Sequence, residues 1–297
     1  MPALQPLPNQ RSTGSRTMER GPDQLPLSSL DEPADRVPEQ FGPAIVGVRE
    51  TGKILHDVSE YMAPLDYSLN PYVGCTFGCS YCYAVFFAPE EEQQENWGRW
   101  VDVKVNGIRE IMKRRDLKGK KILMSSATDP YQPIERKIEL TRGIVEALSE
   151  PIRQPILRVQ TRSPLVARDI DLFKRFENIR VNMSITTDSD EIRKRFEPSC
   201  ASIDQRFEAL EQVKAAGIRI GVSLAPLLPI EDIDRFADRI AALNPDSAFA
   251  SSFHISHGRF KGSTRSMGLD MASEYGWTRL KVHEAVARLR ERLPMLV

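Results

Sequence analysis

The sequence predicts an α/β fold built from six strand–helix units, and three observations support that prediction. Short apolar runs rich in Val, Ile, Leu and Ser recur from residue 44 onward. Segments of helical period lie between those runs, and Gly, Pro or charged residues bound them. Such alternation predicts right-handed crossovers and an all-parallel sheet, either open and doubly wound or curved into a partial barrel.

The elements follow in order along the chain. Six segments are predicted strands because near-continuous apolar runs are typical of buried parallel strands. They are 67–72, 121–127, 156–162, 180–187, 219–225 and 248–255. Helices are predicted at 105–115, 135–150, 164–176, 203–216 and 231–243, with a last helix at 278–292. Ser163 is a typical N-cap residue, and Pro164 is typical of the first helical position. Gly217 is typical of the position after the last residue of a helix.

The first part of the chain differs in composition from the rest. Residues 1–43 hold eight of the 21 prolines and show no apolar period. Such a segment buries too little apolar surface to offset the entropy of ordering it. We therefore expect a disordered or loosely docked tail at 1–43 and a barrel domain with a C-terminal helix at 44–297.

Charge and hydropathy exclude several classes of protein. Forty-one basic and 41 acidic residues cancel, so no global field attracts the chain to nucleic acid or anionic lipid. No run of 18 apolar residues occurs, and the N-terminus lacks the pattern of a secretory signal. Four cysteines, three of them crowded together, suit metal binding in a reducing compartment. The expectation is a soluble, cytoplasmic protein without a membrane partner.

The crowded cysteines form the most informative motif. Cys75, Cys79 and Cys82 follow the first predicted strand in a Cys-x3-Cys-x2-Cys arrangement. Three thiolates at this spacing can bind three irons of a [4Fe–4S] cluster and leave the fourth iron free for another molecule. A structural zinc or an electron-transfer cluster needs a fourth ligand, and the candidates, such as Cys200, lie more than 100 residues away.

The segment around the triplet, Asn70-Pro71-Tyr72-Val73-Gly74-Cys75-Thr76-Phe77-Gly78-Cys79-Ser80-Tyr81-Cys82-Tyr83-Ala84, resembles the cluster loop of radical S-adenosylmethionine (SAM) enzymes. The resemblance is strongest to the branch related to spore photoproduct lyase, often called DNA-repair photolyase-like. It continues from about residue 44 to 242 through Trp97-Gly98-Arg99, Val103-Lys104-Val105-Asn106, Ser126-Ala127-Thr128-Asp129-Pro130-Tyr131-Gln132-Pro133, Thr161-Arg162-Ser163-Pro164, Ser184-Ile185-Thr186-Thr187, Glu197-Pro198 and Ala225-Pro226.

The resemblance implies a fold, two cofactors and a reaction. The fold would be a partial (β/α)6 TIM-like barrel of the radical SAM type, with ligands at the carboxyl ends of the strands. The cofactors would be a [4Fe–4S] cluster and SAM. One-electron reduction, supplied by an external flavodoxin or ferredoxin, would cleave SAM to methionine and a 5′-deoxyadenosyl radical that abstracts hydrogen from a substrate.

The resemblance also implies cofactor contacts. Tyr81 occupies the position that packs on the adenine of SAM in the family, and ordinary loop packing is the alternative. Thr128 and Asp129 are candidates for the SAM amino group, Arg162 for the SAM carboxylate and Ser184 for a further hydrogen bond. Relatives often have lysine where Arg162 stands, and arginine favours a bidentate geometry. Each of the last four can instead be a solvated residue at a strand end.

One departure from the family puts the lyase reaction in doubt. Spore photoproduct lyases carry a hydrogen-donating cysteine where this chain has Ser126, which we include among the cofactor-contacting candidates. A serine O–H bond is much stronger than a cysteine S–H bond, so Ser126 is a poor donor. Cys200 is the alternative donor, provided that residues 191–196 form a loop turn and the next helix starts near residue 203. An inert small buried residue is the other interpretation of Cys200.

The substrate stays open at this level. A DNA or nucleotide lesion follows from family analogy, with a small molecule or peptide as the alternative and a non-catalytic Fe–S or zinc protein as a distant third. Two basic segments, 109–121 and 259–265, can contact phosphate or remain simply solvated. One spare cysteine cannot hold a second cluster, which excludes relatives that require one.

Overall fold

Eleven strands form in the part of the chain that the computed structural model describes, which comprises residues 33–58, 62, 64–254 and 263–297. The described residues belong to one unit. The strands are β1 (Gln40–Phe41), β2 (Ala44–Arg49), β3 (Leu55–Asp57), β4 (Tyr67–Leu69), β5 (Tyr72–Val73), β6 (Trp100–Lys104), β7 (Lys121–Met124), β8 (Ile156–Thr161), β9 (Ile179–Ser184), β10 (Arg219–Leu224) and β11 (Ser247–Ala250).

Helices separate most of the strands. In chain order they are α1 (Glu91–Glu95), α2 (Gly107–Met112), α3 (Glu135–Ile138), α4 (Leu140–Ser149), α5 (Ile170–Phe173), α6 (Asp190–Phe196), α7 (Ile203–Ala215), α8 (Ile233–Ala242), α9 (Ser266–Glu274) and α10 (Arg279–Arg292). The two predicted end signals are present, and a third cap was not predicted. Ser163 accepts a hydrogen bond from the Leu165 N–H at 3.3 Å, and Gly217 follows α7 with a φ of 82°. Thr278 caps α10.

The main sheet has seven strands in the order β11-β10-β9-β8-β7-β4-β3. Six of them are parallel neighbours in chain order, and only β3 is antiparallel, at the edge beside β4. These six are the strands predicted from the sequence, so the predicted α/β fold with a partial (β/α)6 barrel is confirmed. The carboxyl ends of the six parallel strands therefore meet at one edge, where ligands of such folds bind.

The sheet has an apolar face and a polar face. In β8, Leu157, Val159 and Thr161 are buried, whereas the alternate residues Arg158 and Gln160 are only half-buried. Successive strand residues point to opposite faces, so helices cover the first set and the second set lines the inner, concave side of the fold. Helix α7 lies against β9 and β10 on the covered side.

The described elements differ from the prediction at several points. The predicted strand at 67–72 divides into β4 and β5 because Pro71 has no N–H to continue a ladder. The predicted helix at 135–150 breaks at Glu139, which has a φ of 56°, and the one at 164–176 begins as a 3-10 turn at Pro164–Asp169. Strand β6 and helices α6 and α9 were not predicted.

The start of the chain is only partly described. Most of the predicted tail at 1–43, namely residues 1–32, lies outside the described residues. Pro33–Arg36 form a 3-10 turn, and β1 pairs antiparallel with β2. Strand β2 in turn pairs with β6, which pairs with β5, so a second sheet of four strands stands beside the main one. Strand β5 leads directly into the cysteine motif.

Candidate active site

The cysteine loop, residues 75–82, is a compact and largely buried turn. Cys75 and Cys79 are buried, and Cys82 is half-buried. Gly78, with a φ of 60°, lies against Gly98 so closely that a Cβ on Gly98 would stand 2.7 Å from the Gly78 Cα. Only glycine permits both the conformation and the contact. The two glycines therefore fix the path of the chain between the first two cysteines.

A glutamine on the loop after β7 holds the start of the cysteine loop. Gln132 is fully buried, and its Oε1 accepts hydrogen bonds from the Thr76 N–H at 2.9 Å and the Thr76 hydroxyl at 3.2 Å. Its Nε2 donates to the Thr128 Oγ1 at 3.2 Å, and the Thr128 hydroxyl donates to the Gly74 carbonyl at 2.6 Å. The cysteine loop and the end of β7 are therefore one hydrogen-bonded unit.

A cavity of about 220 Å³ lies between the cysteine loop and the carboxyl ends of β7, β8, β9 and β10. Most of the residues predicted from the sequence line it. They are Cys75, Cys79, Cys82, Ser126, Thr128, Asp129, Arg162 and Ser184. Tyr81 and Cys200 do not form part of its wall. The fold thus brings segments from four different strand ends to the cysteine triplet.

The chemistry of this donor set fits an iron–sulfur cluster. All three cysteines are free thiols on one cavity, and thiolates are the preferred ligands of Fe–S clusters. Burial raises the pKa of Cys75 and raises that of Cys82 to about 11, so metal binding must drive their ionisation. In the described part of the chain, no three His, Cys, Asp or Glu side chains form a group that could hold a single metal ion. A cluster has no such requirement, because each cysteine binds a different iron.

Cys79 differs from the other two cysteines in its surroundings. Its Sγ accepts a hydrogen bond from the Arg162 Nη1 at 3.0 Å and lies 3.9 Å from the Sγ of Cys200. The hydrogen bond with Cys200 and the charge of Arg162 lower the pKa of Cys79, although burial opposes this shift. Cys79 is therefore the thiol of the triplet that the protein itself favours in the ionised form.

Asp129 and Thr128 both form hydrogen bonds with other residues around the cavity. The Asp129 carboxylate is buried and accepts hydrogen bonds from the Thr161 hydroxyl at 2.7 Å and from the Arg162 N–H at 2.9 Å. Burial raises the pKa of Asp129, and these hydrogen bonds oppose the shift. Asp129 thus joins the end of β7 to that of β8. The predicted contact of both residues with the SAM amino group remains a prediction.

The two predicted serines come from the ends of different strands, Ser126 from the loop after β7 and Ser184 from β9. Asn70 holds Ser126 because the amide Oδ1 accepts from the Ser126 N–H at 3.0 Å and the Nδ2 donates to the Ser126 hydroxyl at 3.2 Å. Ser184 ends β9, and its hydroxyl accepts from the Gln160 Nε2 at 3.0 Å. Both hydroxyls therefore have fixed positions on the cavity wall, and their cofactor contacts remain predictions.

Arg162 connects the cavity to a buried ion-pair network that the sequence did not reveal. Its Nη1 donates to Cys79, to the Tyr81 hydroxyl at 2.7 Å and to the Glu197 Oε1 at 3.0 Å. Glu197 is fully buried and also forms an ion pair with the fully buried Arg206. Burial would raise the pKa of Glu197, but the charges of Arg206 and Arg162 lower it to about 2. A permanent carboxylate therefore fixes the guanidinium beside Cys79.

Tyr81 belongs to this network and not to the cavity wall. Its hydroxyl donates to the Glu197 carboxylate, and its ring makes an edge contact with Phe253 at a centroid distance of 6.4 Å. Arg162 lies over the same ring, 5.7 Å from its centroid. The side chain of Tyr81 thus joins the cysteine loop to Arg162 and Glu197. Its predicted packing on adenine remains a prediction.

Cys200 lies next to the cysteine loop, and one of the two conditions set for that position is met. Residues 190–196 form helix α6 and not a loop turn, so that part of the prediction was wrong, whereas α7 begins at Ile203 as predicted. The connection from α6 to α7 nevertheless returns to the site because the Cys200 N–H donates to the Glu197 carbonyl at 3.1 Å. Burial raises the pKa of the Cys200 thiol, so it is a protonated neighbour of Cys79. Its role as a hydrogen donor remains a prediction.

Comparison with known proteins decides the family. The family model of the radical SAM superfamily matches residues 69–243, more than half of the chain. The chain belongs to the radical SAM superfamily. It is therefore a radical SAM enzyme, and the family implies SAM and an iron–sulfur cluster as its cofactors.

Two curated proteins and a group of solved structures are similar to this radical SAM enzyme. An uncharacterized protein of Methanocaldococcus jannaschii is 38% identical over 55% of this chain and 61% of the relative. The chain thus spans about three fifths of that relative's length. An uncharacterized protein of Acidianus two-tailed virus is 27% identical over 73% of each chain.

Spore photoproduct lyase shares the fold. One variant superposes with a TM-score of 0.57 at 18% identity, covering 85% of this chain and 80% of the lyase. A second, with bound AdoMet and dinucleoside spore photoproduct, gives a TM-score of 0.52 at 19% identity and covers 84% of this chain and 66% of the lyase. The structural likeness shows a shared fold.

Two further sequence features are the basic segments at 109–121 and 259–265. In the first basic segment, Lys113, Arg114 and Lys120 form ion pairs with nearby carboxylates. Residues 259–262, which are most of the second basic segment at 259–265, lie outside the described residues. None of the helices in the described ranges is long and apolar enough to cross a membrane.

Proposed function

We propose that this radical SAM enzyme binds one [4Fe–4S] cluster through Cys75, Cys79 and Cys82 and binds SAM in the adjoining cavity. The proposal rests on one observation: the three thiols and the polar strand-end residues line the same cavity. When bound and reduced by one electron, the cluster would supply the electron that cleaves SAM into methionine and a 5′-deoxyadenosyl radical. That radical then abstracts hydrogen from the substrate.

The chain's own residues would position the cofactor and stabilise its charges. Arg162 is held by Glu197, so its remaining N–H groups can meet the SAM carboxylate without rearrangement. Asp129, Thr128 and Ser184 offer oxygen atoms to the SAM amino and ribose groups from three directions. Burial of the cysteine loop excludes water and stray hydrogen donors from the radical. An external flavodoxin or ferredoxin would supply the electron.

For the substrate, we infer a DNA or nucleotide lesion. The shared fold with spore photoproduct lyase supports this class, since one solved structure of that protein holds a dinucleoside photoproduct. Two observations favour a small molecule or peptide as the second candidate. Ser126 occupies the cavity wall in place of a thiol donor. In addition, cations of the basic segment at 109–121 are engaged with carboxylates and less available to phosphates.

Deuterium transfer tests the proposal. Anaerobic turnover with deuterated candidate substrates should place deuterium in 5′-deoxyadenosine when the correct substrate is present. A salt-dependent affinity for a lesion-containing oligonucleotide would favour the DNA class, and salt-independent or absent binding would favour the alternative. Production of 5′-deoxyadenosine that is equal in wild type and in Cys79→Ala would refute the assignment of the cluster ligands.

A further inference from the structure

Three arginines stand side by side on the inner face of the main sheet. Arg158 of β8 is in register with Arg180 of β9, and Arg180 is in register with Arg219 of β10. Residues in register on neighbouring parallel strands point to the same face, and the strands are about 4.8 Å apart. The three side chains therefore form a row, called here the arginine row, whose Cα atoms span about 10 Å.

The arginine row shares its face with the cavity but lies nearer the amino ends of the strands. Two residues further along β8 is Gln160, which is in register with Asn182. Two residues beyond Asn182 is Ser184, which is in register with Ser223, and both serines line the cavity. Gln160 also lines the cavity, so at about 3.3 Å per residue the arginine row lies about 7 Å from the nearest cavity-lining residue of the sheet and about 13 Å from Ser184.

In the described part of the chain, no ion pair neutralises the arginine row. Arg158 and Arg180 form no salt bridge there, and Arg219 donates to the Asn178 amide oxygen. Burial lowers the pKa of Arg158. Burial and the charges of its two neighbours lower the pKa of Arg180, and the charge of Asp246 opposes that shift. Asp246 uses its Oδ2 to accept the Ile220 N–H at 2.9 Å. Three adjacent cations with one distant carboxylate among them repel one another.

Two buried polar atoms beside the row also have no partner. The Nε of Arg180 and the Oδ1 of Asn182 are inaccessible to solvent and make no hydrogen bond within the described part of the chain. The space around the Asn182 amide depends on Gly221, since a Cβ there would stand 2.3 Å from the Asn182 Oδ1 and 2.7 Å from the Ser247 Oγ. Buried polar groups without partners are rare in proteins and indicate an absent ligand or water.

We propose that the arginine row and Asn182 form a binding site for a phosphate group, carried by inorganic phosphate, pyrophosphate or a phosphate ester. A guanidinium forms paired hydrogen bonds with phosphate oxygens, and a dianion with several oxygens can meet all three arginines at once. A carboxylate has only two oxygens and a single charge. The unpartnered Nε of Arg180 supplies one donor, and the Asn182 amide can turn its NH₂ group toward a further oxygen.

This site is separate from the proposed radical chemistry. Its residues contact none of the three cysteines, and phosphate binding is measurable with or without SAM. A failure of the phosphate site therefore leaves the proposed function intact, and the reverse also holds.

The test is calorimetric titration of the reconstituted full-length chain with pyrophosphate and with inorganic phosphate, at constant ionic strength set with chloride. Wild type should bind saturably. Arg180→Gln and Arg158→Gln should each weaken binding about tenfold or more, since each removes a charge-assisted pair of hydrogen bonds. Arg292→Gln, which removes the same charge from the ion-paired surface of α10, should bind as wild type does.

Thermal unfolding distinguishes a ligand site from a structural role. Without phosphate, Arg180→Gln should be as stable as wild type or more stable, because it relieves repulsion. With phosphate, only wild type and Arg292→Gln should gain stability. Absence of saturable binding to wild type, or equal binding by Arg180→Gln and wild type, would overturn the proposal. Loss of stability in Arg180→Gln without phosphate would do the same.

Discussion

Replacing Glu197 by glutamine removes the one negative charge of the buried network behind the cysteine loop and leaves the side-chain shape unchanged. The carboxylate is fully buried between Arg206 and Arg162, and its pKa is about 2 in the folded protein against an ordinary value of 4.5. At about 1.4 kcal/mol for each pKa unit, this difference corresponds to about 3 kcal/mol of folding free energy at neutral pH. Breaking a buried ion pair by removing one partner costs a similar amount, about 3–5 kcal/mol.

The lowered pKa of Glu197 determines how the stability difference between wild type and Glu197→Gln should change with pH. A carboxyl group whose pKa is lowered by folding stabilises the protein fully above its unfolded pKa, and the stabilisation is lost as the pH falls toward the folded pKa. The advantage of wild type over Glu197→Gln should therefore be constant above about pH 5.5 and smaller by about 1.4 kcal/mol at pH 3.5.

Urea denaturation followed by far-ultraviolet circular dichroism measures both quantities. Glu191→Gln is the matched control because Glu191 lies on α6, the helix that Glu197 directly follows, but is exposed and paired with Lys194. The control should match wild type at each pH. A destabilisation by Glu197→Gln under 1 kcal/mol at neutral pH, or one that does not change between pH 5.5 and 3.5, would refute the reasoning.

Three further predictions concern the cysteine loop. Cys79→Ala should reduce iron bound after anaerobic reconstitution to background, whereas Cys200→Ala should retain iron; equal iron contents would contradict the ligand assignment. Arg162→Gln should make the cluster's reduction potential more negative in spectroelectrochemical titration, because it removes a charged N–H donor from the Cys79 sulfur, and an unchanged potential would contradict this. Gly268→Ala should cost about 1–3 kcal/mol in urea denaturation, since its Cβ would stand 2.8 Å from the Tyr81 Cα, and the exposed control Ser266→Ala should cost little.

The sequence predicted the six parallel strands because each contains a short run rich in Val, Ile, Leu and Ser between segments of helical period. It did not predict β6 or the division at Pro71, because both depend on pairing with a second sheet that local composition does not specify. Helix α6 is short and strongly charged, with too few apolar positions to show a helical period.

The sequence predicted some residues of the candidate site and missed others. Cysteine spacing identified the three cysteines, and the family resemblance implied five further residues; all eight line one cavity, since the carboxyl ends of parallel strands meet at one edge. The ion pair of Glu197 with Arg206 could not be predicted because buried charges are recognised only when their partners are known. A signal was present, however, since Glu197-Pro198 belongs to a family-like segment and Arg206 interrupts the apolar face of α7. The arginine row likewise depends on strand register, which no single segment contains.

The most direct test of the central claim is electron paramagnetic resonance of the anaerobically reconstituted and reduced protein, recorded with and without SAM. The account predicts a [4Fe–4S] signal that changes on addition of SAM, because three cysteines leave one iron open to it. Cys79→Ala should show no such signal. A wild-type cluster signal that SAM leaves unchanged would contradict the claim that the cysteine loop and the adjoining cavity form a SAM-cleaving site.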